Sequence, residues 1–327
     1  MFHSRADLQI KASLDILFSK KCVLRQNVNS GEIMNGHSTS EGSAKSFRHI
    51  LLTRFNARFS AKWTGQCLDP DWLDRRFLLF RKYCYPSVRN QTTANFTWLV
   101  FFHEDTPLSY RRSIQELTDW PVMHPVYSSF LSRDKVMESI YEVSQGTTSH
   151  IISSSLDNDD AICRTYIEEI QKKFCGQDYQ YVNWETGYVF HAGRFYFRKD
   201  LQSPFNTLIA QIGKDTFVWD VWHTKILETG PVIQIDSGPG WLQVIHETNI
   251  SNRIRGRRIL CPSVSDPFPF ISGTDVKKDN WWEMFLDVCL LNSLRFLREL
   301  VVRILKHFVD LQYFAYVLQR KKRANLS

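Results

Sequence analysis

The sequence predicts an α/β fold, a mostly parallel sheet flanked by helices and followed by a C-terminal amphipathic helical tail. Two observations carry this. From His49 onward, short apolar runs suited to buried strands alternate with segments of helical spacing, the pattern that βαβ units produce. Hydrophobic residues make up 43% of the 327 residues and aromatics 14%, ample for a large core and incompatible with global disorder.

Residues 1–46 stand apart as a leader, with a short amphipathic piece at Leu8–Phe18 and then a polar Ser/Asn/Gly-rich stretch. His49–Thr53 is the first strand. Asp71–Tyr83 reads as a helix with Leu73, Phe77 and Phe80 on one side, Asp69 as N-cap and Pro70 at its start. Phe96–Phe102 is the second strand, closed by Glu104-Asp105-Thr106-Pro107. A helix at Leu108–Leu117, a strand at Pro121–Tyr127 and a helix at Asp134–Val143 follow. The strand beginning His150-Ile151-Ile152 runs into an acidic cluster, then come a helix at Ala161–Phe174, a strand at Tyr179–Trp184 and a hairpin at Gly187–Arg198. Residues 47–275 thus form the main domain and 276–327 the helical tail.

Bulk properties exclude several classes. The formal charge of +7 is concentrated at the C-terminal end, where Lys277–Ser327 holds ten Lys/Arg against five Asp/Glu. No basic face with a recognition motif points to nucleic acid. Seven scattered cysteines without a CxxC pair read as reduced thiols. The charged N-terminus does not read as a signal peptide, no apolar run reaches the roughly 18 residues of a spanning helix, and the four sequons (Asn90, Asn95, Asn249, Asn325) read as chance. A cytoplasmic protein is expected, peripheral at the inner face of a membrane if its tail docks there.

In parallel sheets ligands bind beyond the carboxyl ends of the strands. Arg54, Asn56, His103 and Asp157 all follow strands, so they should gather at one edge. In Asp157-Asn158-Asp159-Asp160 three carboxylates fall within four residues. In extended chain Asp157 and Asp159 would point the same way and share one hard cation, Mn²⁺ or Mg²⁺, able to offset the charge of a departing diphosphate. The plainer alternative is a solvated turn with Asp160 capping a helix at Ala161. An EF-hand loop is excluded by the missing later Gly and Glu.

An ordered set of motifs extends beyond this cluster: Thr53-Arg54-Phe55-Asn56, Tyr85-Pro86-Ser87, Gln91-Thr92, Asn95-Phe96-Thr97-Trp98-Leu99, Thr106-Pro107, Leu156 to Ala161, Ser203-Pro204-Phe205 and Trp241 to His246. Together they resemble the bacterial family of putative rhamnosyltransferases, of the GT-A-type glycosyltransferase fold, over about His49 to Gly256. The resemblance implies a nucleoside-diphosphate sugar as donor and a divalent cation at Asp157 and Asp159. Two departures stand out: Ser155 where a basic residue is expected, and His103 where an acidic one is.

Further candidates follow by order along the chain. His246, or alternatively His223, is expected as a third metal ligand. If the reaction inverts, a carboxylate must deprotonate the acceptor, and Asp220 or Glu185 is the candidate. Arg54 and Asn56 are expected at the nucleotide base and ribose, or else in a turn and an ion pair. Arg253, with Arg255, Arg257 and Arg258, forms a basic segment for the diphosphate or an anionic acceptor, or a solvated loop. The tail from Trp281 to Gln319 has Leu290, Leu294, Leu297 and Val301 on one wide face, and packing, dimerisation and membrane contact all fit. The function expected is glycosyl transfer to a glycan or lipid-linked acceptor, against a non-catalytic carbohydrate- or nucleotide-binding module or a peripheral-membrane scaffold.

Overall fold

The structure, a computed structural model, describes residues 46–60, 66–144, 148–246, 254–259, 266–272, 275–277, 280–298, 300–301 and 304. The expected leader, apart from Ser46, and Arg253 of the basic segment lie outside the described residues.

Strands β1 (Phe47–Arg54), β2 (Thr97–His103), β3 (Met123–Ser128), β4 (His150–Ser155), β6 (Tyr179–Trp184), β9 (Asn206–Gln211) and β10 (Ile233–Ile235) form a seven-stranded sheet ordered β10-β6-β9-β4-β1-β2-β3. All run parallel except β9, which is antiparallel to both β4 and β6. The mostly parallel sheet expected from the sequence is therefore present.

Its apolar runs are continuous because both faces are covered. On β1 and β2, Leu51, Trp98, Val100 and Phe102 enter one core, and Ile50, Leu52, Leu99 and Phe101 enter the other. Helices α1 (Pro70–Leu79) and α3 (Leu108–Thr118) pack on the first face, and α4 (Arg133–Val143) on the second. Asp69 caps α1, its carboxylate accepting the Trp72 N–H at 2.9 Å, with Pro70 in the first turn. The helix then widens over Phe80–Cys84 before α2 (Tyr85–Arg89). Pro86 has no N–H to give the turn before it, which accounts for the widening.

Two expectations are corrected. Ala161–Phe174 is not one helix: Ala161–Ile162 is a short strand, β5, and helix α5 occupies only Tyr166–Gln171. Asp160 consequently caps no helix; its carboxylate accepts the Val244 N–H at 2.8 Å and draws the chain into a ladder with β11 (Trp241–Ile245). A second, five-stranded sheet, not foreseen from the sequence, joins these two to β7 (Thr186–His191), β8 (Arg194–Lys199) and β12 (Arg257–Ile259) in the order β12-β8-β7-β11-β5.

The expected hairpin is β7–β8. Its two-residue turn, Ala192-Gly193, has both φ angles positive (49° and 77°), the conformation that matches strand twist in tight hairpins. Glu185 is the residue at which the chain passes from β6 in the first sheet to β7 in the second.

Candidate functional site

At the carboxyl edge of the first sheet, β4 continues past Ser155 by one ladder bond, Leu156 N–H to Leu52 O at 3.0 Å. The chain then turns rather than running extended: Asp160 N–H reaches back to Asp157 O at 3.2 Å. The turn separates the two aspartates that the sequence placed side by side. Asp157 is exposed, while Asn158, Asp159 and Asp160 are buried.

Each of the three buried side chains has dedicated partners. Asn158 donates to Phe55 O at 2.7 Å and accepts from Arg76 Nη1 at 3.1 Å. Asp159 Oδ2 meets Arg76 Nη1 at 2.7 Å and His246 Nε2 at 2.8 Å. Burial pushes the Asp159 carboxyl up, but His246 and Arg76 outweigh it and hold the group below the usual carboxylate range. Asp160, fully buried, is pushed well above that range by desolvation, with Asp159 and Asp157 adding repulsion.

Asp157 differs from its neighbours. It is exposed, yet the surrounding protein desolvates it and raises its pKa; Asp159 adds to the rise, and Arg54 and Arg76 oppose it. Arg54 ends β1 with its guanidinium 4.3 Å from the Phe59 ring centroid and 5.2 Å from that of Trp219. Among the described residues it makes no hydrogen bond or ion pair. Trp219 is fixed in turn by its indole N–H, which donates to Ser155 Oγ at 2.8 Å. Ser155, where a basic residue was expected, thus anchors the ring that Arg54 leans on.

The other candidates are placed elsewhere or are already committed. Asn56 is buried and all used: Nδ2 donates to Cys67 O and Thr106 Oγ1, both at 3.0 Å, and Oδ1 accepts the His103 N–H at 3.1 Å. It ties together the loops after β1 and β2, so the expected ribose contact is replaced by a structural one. His103 closes its own turn, Nδ1 accepting the Asp105 N–H at 3.1 Å. His223 has Asp200, Arg198 and Arg255 as its charged neighbours and does not join the acidic turn; burial lowers its pKa. Arg133 engages both oxygens of Asp220, at 2.8 and 3.0 Å. Glu185 is 2% exposed and pairs with Lys199 Nζ at 2.8 Å.

The donor set can be tested against a divalent cation. Among the described residues no three His, Cys, Asp or Glu side chains converge as a metal-ready cluster. Asp159 and His246 bond to each other, and Arg76 sits on the same carboxylate oxygen. Asp157 alone presents an open carboxylate. That suits a loosely held hard cation, which takes one or two carboxylates and completes its shell with phosphate oxygens and water. A closed protein cage is not formed.

Arg76 was missed by the sequence reading. It lies between Leu73 and Phe77 on the buried side of α1, and a charged residue on the apolar face of a helix was the available signal. A cavity of about 310 Å³ also borders His246, lined by Tyr83, Phe190 and the Lys82–Asp275 pair.

A profile of the family described as "Putative rhamnosyl transferase" matches residues 49–258, about two-thirds of the chain. The chain belongs to this family. It contains Arg54, the acidic turn, Arg76 and His246 within the matched span. No curated protein matches the chain. Similar solved structures include residues 1–349 of TarS from S. aureus, at 9% identity and TM-score 0.37, covering 61% of this chain and 60% of that one. The chain thus spans about 60% of the length of that TarS structure. The same TarS fragment in complex with UDP is similar at 8% identity and TM-score 0.37, covering 61% and 60%. A structure described as "putative nucleotide-diphospho-sugar transferase from Desulfovibrio desulfuricans G20" is similar at 11% identity and TM-score 0.30, covering 62% and 81%.

Proposed function

We propose that the chain transfers a sugar, rhamnose by its family's description, from a nucleoside-diphosphate donor to a glycan or lipid-linked acceptor. The observation that carries this is the open carboxylate of Asp157 beside the guanidinium of Arg54, which makes no ion pair among the described residues, at the carboxyl edge of a parallel sheet. Such an edge is where α/β sheets take nucleotides.

Each residue has a part in this reading. Arg54, held between Phe59 and Trp219, takes the donor's phosphate oxygens or the face of its base. Asn158, Arg76 and His246 fix the turn, so Asp157 points outward without reorganising when the donor arrives. A Mn²⁺ or Mg²⁺ bound on Asp157 would neutralise charge on the leaving diphosphate. Asp220 is the preferred acceptor base, because the adjacent Trp219 reaches Arg54 and Ser155. To act it must first release Arg133, and Glu185 must likewise release Lys199.

The test is a thermal-shift and donor-hydrolysis screen of UDP-, GDP- and dTDP-linked sugars with and without Mn²⁺. A donor at a hundred times its Kd stabilises the native state by about 2.7 kcal/mol. That stabilisation should appear with one nucleotide class and vanish in Asp157→Asn. No shift with any donor would overturn the reading. A shift with no turnover, even with glycan acceptors supplied, would favour the binding module.

A further inference from the structure

Among the described residues no helix is long and apolar enough to cross a membrane, yet the segment from Trp281 exposes an apolar surface of unusual extent. The helix begins at Trp281–Phe285 (α6), capped by Asn280, widens over Leu286–Leu291 and continues to residue 298. It rests on the second sheet by its polar side. Asp287, 4% exposed, meets Arg295 at 2.6 Å and Arg258 at 3.6 Å. Asn292 accepts the Arg258 N–H at 2.7 Å, and the Arg295 guanidinium lies 4.9 Å from the Tyr196 ring centroid.

The opposite side is the apolar one. Trp282, Leu286, Leu290, Leu294, Leu297 and Val301 recur every three or four residues, and each is between 46% and 63% exposed. The widened turns offset the drift that a spacing of four accumulates in an ordinary α-helix, so the residues stay in one stripe. An amphipathic helix packed on its own domain turns its apolar stripe inward; this one does the reverse.

We propose that this face docks on the surface of an anionic lipid bilayer. Three features favour lipid over a second copy of the chain. Trp281 and Phe285, exposed at 61% and 47%, broaden the stripe beyond the narrow seam of a helix pair. Paired tryptophans at one end suit the headgroup boundary. Basic side chains flank the helix: Arg255 and Arg257, before and on β12, are exposed and form no ion pair among the described residues, and Arg298 on the helix donates to Ile254 O at 3.2 Å; by sequence, Lys277–Ser327 carries ten Lys/Arg against five Asp/Glu. Among the described residues the acids of the helix are paired, Glu283 with Lys277 and Arg194, and Asp287 with Arg295 and Arg258. Juxtaposed apolar and basic surface is what anionic interfaces bind.

The inference does not rest on the donor chemistry, because donor binding is read separately by thermal shift. The test is co-sedimentation of the full chain with vesicles of phosphatidylcholine, alone or mixed with phosphatidylglycerol. Wild-type protein should partition onto the mixed vesicles at least about tenfold more strongly, and high salt should weaken this. The triple variant Leu290→Glu, Leu294→Glu, Leu297→Glu should lose at least about tenfold in partitioning while keeping its thermal midpoint. Arg255→Glu with Arg257→Glu should lose only the preference for phosphatidylglycerol. Leu294→Glu alone should lose binding in the same direction, which guards against misfolding of the triple variant. Equal partitioning of wild-type and triple variant would overturn the proposal. So would a wild-type dimer that binds no vesicles and becomes monomeric in the variant, which would make the stripe a self-association surface.

Discussion

Arg76 Nη1 lies 2.7 Å from Asp159 Oδ2, and both side chains are less than one-tenth exposed. A buried charge pair of this kind contributes little net stability as a pair, because desolvating both ions offsets their attraction. Breaking it from one side is different, since the remaining ion stays buried. Here the pair does positional work. Arg76 reaches both Asn158 and Asp159, so one helix residue sets two consecutive residues of the acidic turn and leaves Asp157 facing out.

Arg76→Met should therefore lower unfolding free energy by about 3–5 kcal/mol, the usual loss when one partner of a buried pair is removed. His246 remains on Asp159 and should keep the loss toward the lower end. Urea denaturation at neutral pH measures it. Arg76→Lys, which retains the charge but not the fork, should lose less. A Met variant as stable as wild type would mean that His246 alone satisfies Asp159.

Asp157→Asn should behave in the opposite way. The raised pKa of Asp157 means that the fold disfavours its ionised form, chiefly through desolvation and then through Asp159. Removing the charge should leave the thermal midpoint unchanged or slightly higher, while donor-dependent stabilisation with Mn²⁺ is lost. Stability and function would then be separated at one residue, as is common where a site holds an unfavourable charge for use. A substantially destabilised Asn variant would instead make Asp157 a structural group.

Much of this was legible from the chain. Five strands of the first sheet could be read because strands buried on both faces give unbroken apolar runs, as at His49–Thr53 and Phe96–Phe102; β9 and β10 were not read. Asp157 could be read because an acid directly after such a run must sit at the sheet edge. The second sheet could not, since β5 has two residues and β12 three, and their partners are distant in sequence. Ala161–Phe174 has apolar residues that suit either helix or ladder; the Asp160–Val244 hydrogen bond, 84 residues apart, decides for the ladder. The commitments of Asn56, Asp220 and Glu185 were likewise hidden, because each depends on a partner that only the fold brings near.

Gly187 illustrates a requirement of the same hidden kind. A Cβ there would lie 2.1 Å from the Trp241 ring, which is itself stacked on Phe205 at 5.0 Å with planes 7° apart. The ring is enclosed and cannot move aside. Gly187→Ala should cost about 3 kcal/mol through overpacking, measurable as a lowered thermal midpoint. Trp241→Phe should relieve part of the clash, so the double variant should be less destabilised than the two single losses added together. Simple additivity would show that the clash is absorbed elsewhere.

His49 carries the pH prediction. It is fully buried, and burial lowers its pKa to about 3. Gln171 Nε2, which can only donate, faces its Nδ1 at 3.4 Å, so the neutral ring carries its proton on Nε2 and donates to Ser154 Oγ at 2.9 Å. In the unfolded chain the ring takes a proton below about pH 6.5, whereas the folded ring stays neutral down to about 3. Within that window the unfolded state binds one more proton, so stability falls as pH falls, by about 1.4 kcal/mol per unit. Between pH 7 and pH 5 the loss from this residue should be about 2 kcal/mol. Urea denaturation of wild type and His49→Gln at both pH values isolates it: the variant should show a shallower decline, whatever its absolute stability. An equally steep decline in both proteins would assign the acid sensitivity to other groups, His223 being the next, since burial lowers its pKa too.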